Sequence, residues 1–480
     1  MKKIIVLAVI GLFSLAFVGC GESTTATTAA PTTEAETTEG TTVDPCIADP
    51  FAPECVTQDN IILSYADWGD STMNQALIDA FMVKYPNIQV SLRTDFDGLY
   101  GSAFTDALVQ AQTADILPDV FSIDNVITGV NSGMLADVSE FYDIDPDVEY
   151  IYPNIKETAL YNGKRLAIPS FQFIKGILLN MTLFDVYGID LPGYDWTYDE
   201  FLAISVQLRQ AGANDNVYAI EPLDWGAIDF ESIFPTQDDA SVGYNTWDGT
   251  EFHFTSQSWI DAFNLRNQAY AQELITGNID WDELGVGYPW YEGYVGMKIA
   301  GSWNLGMVDT MYELYGQEVG FWPYPGGDAG QFPPVILDYT CVSRQSAHPK
   351  EAYVLAKWMT FGREGWLTRL DVMEAEGELI LDRFPIANYP EVWVAADDFI
   401  FYVQGLQENI DLLEYSKPDV DKWLPGYSAF WEWVGNPEND YWTKIEEGSV
   451  TPEVFAQAWE DKINEMVQEA MANIATEDEE

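Results

Sequence analysis

The sequence predicts an α/β fold of two lobes, joined where strands pass from one sheet into another. Three observations lead there. Between residues 60 and 123, apolar β-prone runs alternate with segments of helical period, which implies an open, mainly parallel sheet flanked by helices. The stretch 161–180, YNGKRLAIPSFQFIKGILLN, begins with Asn162-Gly163, a strong hairpin turn, because both residues tolerate positive φ. In the same stretch Pro169 cannot donate to a ladder, so pairing should change there, and residues 174–179 are apolar enough for a strand buried in a different sheet. Finally, 480 residues suit about two to three domains, and two lobes fit.

The elements follow in order. Residues 60–66 read as a first strand. Met73, Leu77 and Phe81, with Ala76 and Ala80, give a helix face that Pro86 ends. Ile88, Val90 and Leu92 alternate as a strand. Ala103, Phe104, Ala107, Leu108 and Ala111 form a second helix face, and residues 119–123 a third strand. Ligands of such sheets bind beyond the carboxyl ends of the strands, so Asp67-Trp68-Gly69 and Ser122-Ile123-Asp124 should rim one crevice. Thr197 and Glu200 form a capping box. Residues 259–274 read as helix, Val295, Met297 and Ile299 as a strand, and Gly301-Ser302-Trp303 as a helix start. Residues 338–343 read as a strand returning to the first lobe, followed by a helix opened by Pro349. Thr451 and Pro452 start a last helix with the core stripe Phe455, Trp459, Ile463, Met466 and Ala470.

Composition excludes some functions. A net charge of −57 rules against nucleic acid, whose phosphates need Lys and Arg, and against electrostatic docking on an anionic membrane. A salty habitat that screens the charges is one explanation. A wholly acidic surface around an uncharged cleft is the preferred reading, and an acidic cleft for cations is its rival. Aromatics at 14%, including 17 Trp, suit a protein that stacks on flat apolar faces such as sugar rings.

Residues 1–19 read as an export signal: Met1-Lys2-Lys3, then an apolar run of signal-peptide length. Phe17-Val18-Gly19-Cys20 resembles a bacterial lipobox, with Phe17 where Leu is usual. That resemblance implies cleavage before Cys20, a lipid on its sulfur and anchoring at the outer face of the cell membrane. Residues 20–58 read as a Thr/Glu-rich disordered tether. Within it Cys46 and Cys55 are spaced for a local disulfide outside the cell. Cys341 lies in an apolar strand and should be a buried free thiol. No Cys/His pattern suggests a metal, and no cofactor motif is present.

The order YNGK, Ile168-Pro169, a strand ending in Asn180, Leu183-Phe184 and Gly188-Ile189 resembles the extracellular sugar-binding proteins of ABC importers, the maltose-binding type most closely. ILPDVFSIDN, Trp196 to Phe201, and Pro425-Gly426-Tyr427-Ser428-Ala429-Phe430-Trp431 add to the resemblance, which covers residues 60–475. It implies a two-lobed periplasmic-binding-protein type II fold, each lobe a mainly parallel sheet flanked by helices, with a strand hinge. Lobe 1 would comprise 60–168 and 335–385. Lobe 2 would comprise 172–325 and 390–475, ending in the C-terminal helices. Residues 319–326 resemble a second crossing strand and 384–387 a third. The implied function is capture of a neutral carbohydrate, an oligosaccharide by preference, and its delivery to a membrane permease by a monomeric carrier.

A neutral sugar needs aromatic faces for its C–H surfaces and charged or amide partners for its hydroxyls. Candidate stackers are Trp68, Trp225, Trp303, Tyr427 and Trp431; candidate hydroxyl partners are Asp67, Asp124, Gln172 and Asp224. By resemblance Trp303 and Trp431 carry over best, with Ser302 where the family has Pro. Maltose-type sites carry basic residues where this chain has Gly69-Asp70 and Val434-Gly435, which disfavours maltose itself and acidic or phosphorylated sugars. The rivals are a binder of polyamines or other cations, a fold reused for adhesion or signalling, and a secreted glycoside hydrolase with two carboxylates across the cleft. His253 and His348 sit in no catalytic motif, so no enzyme is expected.

Overall fold

The computed structural model describes residues 45–477 apart from 224–228, 277–280, 282–284, 437, 440 and 447–448. The export signal, Cys20, Asp224 and Trp225 therefore lie outside the described residues. So does most of the expected tether.

One strand organises the molecule. β4 (Leu160–Tyr161) and β5 (Lys164–Arg165) form the expected hairpin, turned by Asn162 at φ 52° and Gly163 at φ 78°. The chain then enters β6 (Ile168–Asn180), thirteen residues long and buried throughout. The amino-terminal half of β6, up to Ile174, pairs antiparallel with β10 (Pro334–Val342). From Lys175 onward it pairs antiparallel with β8 (Val295–Gly301) on one side and β9 (Val319–Pro323) on the other. The crossing between sheets is as expected, but the switch falls at Ile174/Lys175 rather than at Pro169. Pro169 stays in register opposite Tyr339, beside a bulge that sets two residues of β6 against Asp338. A bulge already interrupts the ladder, so the missing N–H is tolerated there.

The first sheet runs β2 (Ile88–Leu92), β1 (Ile61–Ala66), β3 (Val120–Ile123), β10, β6. β1 is parallel to both β2 and β3, as the β/α alternation predicts. β10 is antiparallel to β3 and β6, so the sheet is mixed rather than mainly parallel. The returning strand arrives from the other lobe without a crossover helix, and nothing constrains it to run parallel. In the second sheet β7 (Tyr218–Glu221) is parallel to β8. β9 pairs only with the second half of β6, so the second passage is made by the connection from β9 to β10. The third expected crossing, β11 (Phe384–Pro385), pairs with Phe171 and Gln172 of β6.

Helices cover both sheets. Ser71–Lys84 buries Leu77 and Phe81, and Gly101–Thr113 buries Phe104 and Leu108. Tyr198–Ala211 begins with the Thr197/Glu200 capping box. Pro452–Glu477 lays Phe455, Trp459 and Ile463 into the second core. The two faces of the second sheet go to different cores: Ile177 and Leu179 join one hydrophobic cluster, and Leu178 joins the cluster that fills the first lobe.

Part of the expected tether is built into the first lobe. Cys46 and Cys55 are bonded, with Cα atoms 5.5 Å apart. Phe51 inside that loop is buried against Tyr353, and its carbonyl accepts from the Tyr85 hydroxyl at 2.9 Å. One aromatic ring in the loop thus gives residues 45–58 a core contact that their composition conceals. Cys341 is a buried free thiol, and burial pushes its pKa far up. Among the described residues no helix is long and apolar enough to cross a membrane.

Candidate ligand-binding site

The loops that leave β1 and β3 lie side by side, because Tyr65 pairs with Val120 and Ala66 with Phe121. Asp67 and Trp68 follow β1; Asp124 follows β3. Asp67 accepts from the Gly69 amide at 2.7 Å and from the Tyr65 hydroxyl at 2.8 Å, which fixes its orientation. Trp68 is half-buried, edge-on to Phe104 at 5.2 Å. The Lys422 ammonium joins these groups. It lies 5.9 Å from the Trp68 ring centre, 3.6 Å from Asp124 and 2.7 Å from Asp338. Burial pulls Lys422 down, but the carboxylates win and its pKa rises.

A cavity of about 470 Å³ opens beside them. Asp70, Asn74, Trp303, Arg369, Asp382 and Arg383 line it, among others. Each comes from a chain stretch distant from most of the rest. Trp303 is half-buried, touches both hydrophobic clusters and meets Phe173 of β6 edge-on at 6.0 Å. Its indole folds back over Gly301, where a Cβ would stand 2.1 Å from the ring, so the Gly-Ser-Trp sequence is a packing requirement. Arg383 lies over Phe171 and Phe173 and donates to Asp382 at 3.2 Å. Burial lowers Arg383, and Asp382 and Asp67 more than offset it. Gly69 marks the meeting point: a Cβ there would be 3.3 Å from the Asp67 carboxylate, 3.5 Å from the Arg383 guanidinium and 3.6 Å from the Asn74 amide. Asp70, where maltose-type sites hold a cation, caps the helix Ser71–Lys84 by accepting from Thr72 and Met73.

Other expected residues stand differently. Gln172 is fully buried and donates to the Pro385 carbonyl at 2.6 Å. It ties β6 to β11, and among the described residues its Oε1 has no partner. Tyr427 is buried in the second core, stacked on Phe252 at 5.6 Å, and its hydroxyl accepts from Asn245 at 3.2 Å. Its face is covered, so it is no stacker; nothing near Tyr427 in the chain announced Phe252. Trp431 is half-buried, held edge-on by Phe430 and Trp459 at 5.1 and 5.7 Å. His253 pairs with Asp248 at 2.9 Å, and His348 precedes the helix Pro349–Met359.

The cluster that sequence reading missed lies where β6 changes sheets. The buried Lys175 bonds Asp229 at 2.8 Å and lies 5.0 Å from the Tyr244 ring centre. Burial pulls the Lys175 ammonium down, and Asp229 and Asp419 hold it above its ordinary value. Burial and the charge of Asp421 push the Asp419 carboxyl up, against Lys175 and Lys422. The exposed Asp421 adds its negative charge to this cluster. A lysine inside the apolar run FIKGILL was the available signal, since such a charge is kept only with a partner. Arg369 likewise sits on the apolar stripe of Trp366, Leu370 and Met373.

A two-lobed α/β protein whose sheets share a crossing strand beside a cavity lined with indole, guanidinium and carboxylate groups defines a solute-binding protein. The chain belongs to the bacterial extracellular solute-binding protein family, whose profile matches residues 66–361. An uncharacterized ABC transporter extracellular-binding protein of Pyrococcus horikoshii is 23% identical over 468 residues, covering 90% of this chain and 93% of the relative. Among solved structures, the Listeria monocytogenes ABC substrate-binding protein in complex with cycloalternan aligns with a TM-score of 0.63 at 18% identity, covering 85% of this chain and 99% of that one. The sugar-binding protein MalE of Xanthomonas citri gives 0.63 at 18% identity, over 85% and 98% of the two chains. The family and these neighbours are binding proteins.

Proposed function

We propose that this protein is a lipid-anchored, monomeric carrier that captures a carbohydrate, an oligosaccharide by preference, between its lobes and hands it to an ABC permease. The observation that carries this reading is the cavity where the Trp303 indole stands with Asp70, Asn74 and Arg383. A flat ring for C–H faces, and charged or amide groups for hydroxyls, is what a sugar requires. The name of the Pyrococcus relative supports the transporter, and the sugar complexes among the structural neighbours support the guest. A catalytic role finds no such support: Asp67, Asp70 and Asp382 are each held by donors of this chain. A polyamine is disfavoured because Lys175, Lys422, Arg369 and Arg383 all occupy the region around the cleft. The same four cations remove the ground on which acidic sugars looked unsuited.

Closure about the β6 passage is the expected response to ligand, since periplasmic binding proteins are themselves a standard case of hinge closure around a guest. The test is a thermal-shift screen of sugars, polyols, polyamines and amino acids, followed by small-angle scattering. A sugar at 100 times its Kd adds about 2.7 kcal/mol and shrinks the radius of gyration. Stabilisation by spermidine and by no sugar would overturn the reading.

A further inference from the structure

The cavity beside Trp303 has an imbalance in its polar groups. Its carboxylates are largely engaged. Asp70 accepts from two backbone amides, Asp382 from Arg383, and Asp309 from the Tyr402 hydroxyl at 2.6 Å; of the four, only Glu378 stands open at the exposed rim. Its donors are not. Arg369 is 6% exposed, and among the described residues no carboxylate pairs with it. It makes one long hydrogen bond, 3.4 Å, to the Met359 carbonyl. Otherwise it lies over Phe171 and Trp366, 5.0 and 5.6 Å from their ring centres. Asn74 is 3% exposed, and its Nδ2 has no partner among the described residues.

A buried cation without a counter-charge is costly, and a buried donor without an acceptor adds to that cost. Burial and the neighbouring Arg383 lower Arg369 to about 10, despite pulls from Tyr65, Asp67 and Asp382. An incoming hydroxyl could accept a hydrogen bond yet would leave the charge uncompensated. A carboxylate would meet both needs, since guanidinium binds it in a planar, two-bond geometry. The overall charge of −57 does not forbid this, because charges farther than about 8 Å are screened at physiological salt.

We propose that this cavity takes the carboxylate of an acidic sugar unit, a hexuronate within the bound carbohydrate, on the Arg369 guanidinium and the Asn74 amide. The proposal rests on the carbohydrate reading above and narrows its substrate class. The ring of that unit lies against Trp303, and the carboxylate points toward the helix Arg363–Glu376.

The test is calorimetric titration of the full-length mature protein with matched oligosaccharides that differ only in oxidation at C6, such as oligogalacturonides and the corresponding galactose oligomers. Because the linkage is unspecified, gluco- and manno-configured pairs are included. The carboxylated member should bind at least tenfold tighter at 150 mM salt. Arg369→Gln should bring the pair to within about twofold, and Asn74→Ala should narrow the gap by a smaller factor. Circular dichroism checks that each variant is folded, and the wild-type comparison stands if Arg369→Gln is not. Equal or tighter binding of the neutral members by the wild type overturns the acidic assignment and leaves the carbohydrate reading intact. A wild-type preference that survives in folded Arg369→Gln overturns the role of this arginine. Binding of no saccharide in any pair defeats both readings.

Discussion

Replacing Lys175 with Met should expose how the two sheets are held at their junction. Lys175 is the first residue of β6 to pair with the second sheet, opposite Gly301. Its side chain is 3% exposed, and that of its partner Asp229 is 13%. Methionine keeps the length of the stem and removes the charge. Asp229 would lose its cation, and Asp419 one of the two that offset its burial. Removing one partner of a buried pair costs about 3–5 kcal/mol. For the body formed by residues 45–480, an unfolding entropy of about 2.1 cal/mol/K per residue gives about 0.9 kcal/mol per degree. The variant should therefore melt about 3–6 °C lower at neutral pH by calorimetry. The deficit should shrink on acidification, because the Asp419 carboxyl, raised by burial and by the charge of Asp421, takes up its proton. Adding Asp229→Leu should recover part of the loss, since an apolar replacement of the whole pair is often neutral. A deficit below 1 °C, or one that does not change between pH 7 and pH 5, would refute the reasoning.

Three further outcomes are expected. Trp303→Ala should weaken binding of the best sugar by about 2 kcal/mol, roughly 30-fold, as loss of a central aromatic anchor does; titration calorimetry measures it, and Trp431→Ala should cost less, since Trp431 is braced by the second core alone. Asp419→Asn should gain on the wild type as pH rises from about 4, the ordinary carboxylate value, to neutral. The native Asp419 pKa is raised, so its contribution is fully present at low pH and lost as the carboxyl ionises; denaturant melts at several pH values would show a widening gap. Finally, adding salt from about 0.05 to 1 M should raise the melting temperature, because it screens the self-repulsion of a chain with 78 acidic and 21 basic side chains.

Local rules carried the elements. The turn at Asn162-Gly163, the Thr197/Glu200 box, the β/α alternation to Ile123 and the first three residues of the last helix's stripe, Phe455, Trp459 and Ile463, depend on neighbours in sequence, and all are present. The passage of one strand between two sheets was legible because a long apolar run followed a turn and a proline. Its point of exchange was not, since that depends on where β10 ends and β8 begins. Strands β1 and β3 put Asp67, Trp68 and Asp124 on one rim, as a parallel sheet must. Of the cations around the cleft, Arg369, Arg383 and Lys422 come from stretches hundreds of residues away, and no period in the sequence announces that approach.

By itself, then, the sequence determined which segments are strands and helices, how acidic the surface is, and which rings are available. Tertiary structure alone decided which of those rings keep a face open, as Trp303 does and Tyr427 does not. It also decided that Arg369, on the apolar stripe of a helix, ends beside a cavity with no carboxylate paired to it among the described residues. The reason is range: backbone propensity acts over a few residues, whereas burial and pairing of a side chain depend on whatever the fold brings against it.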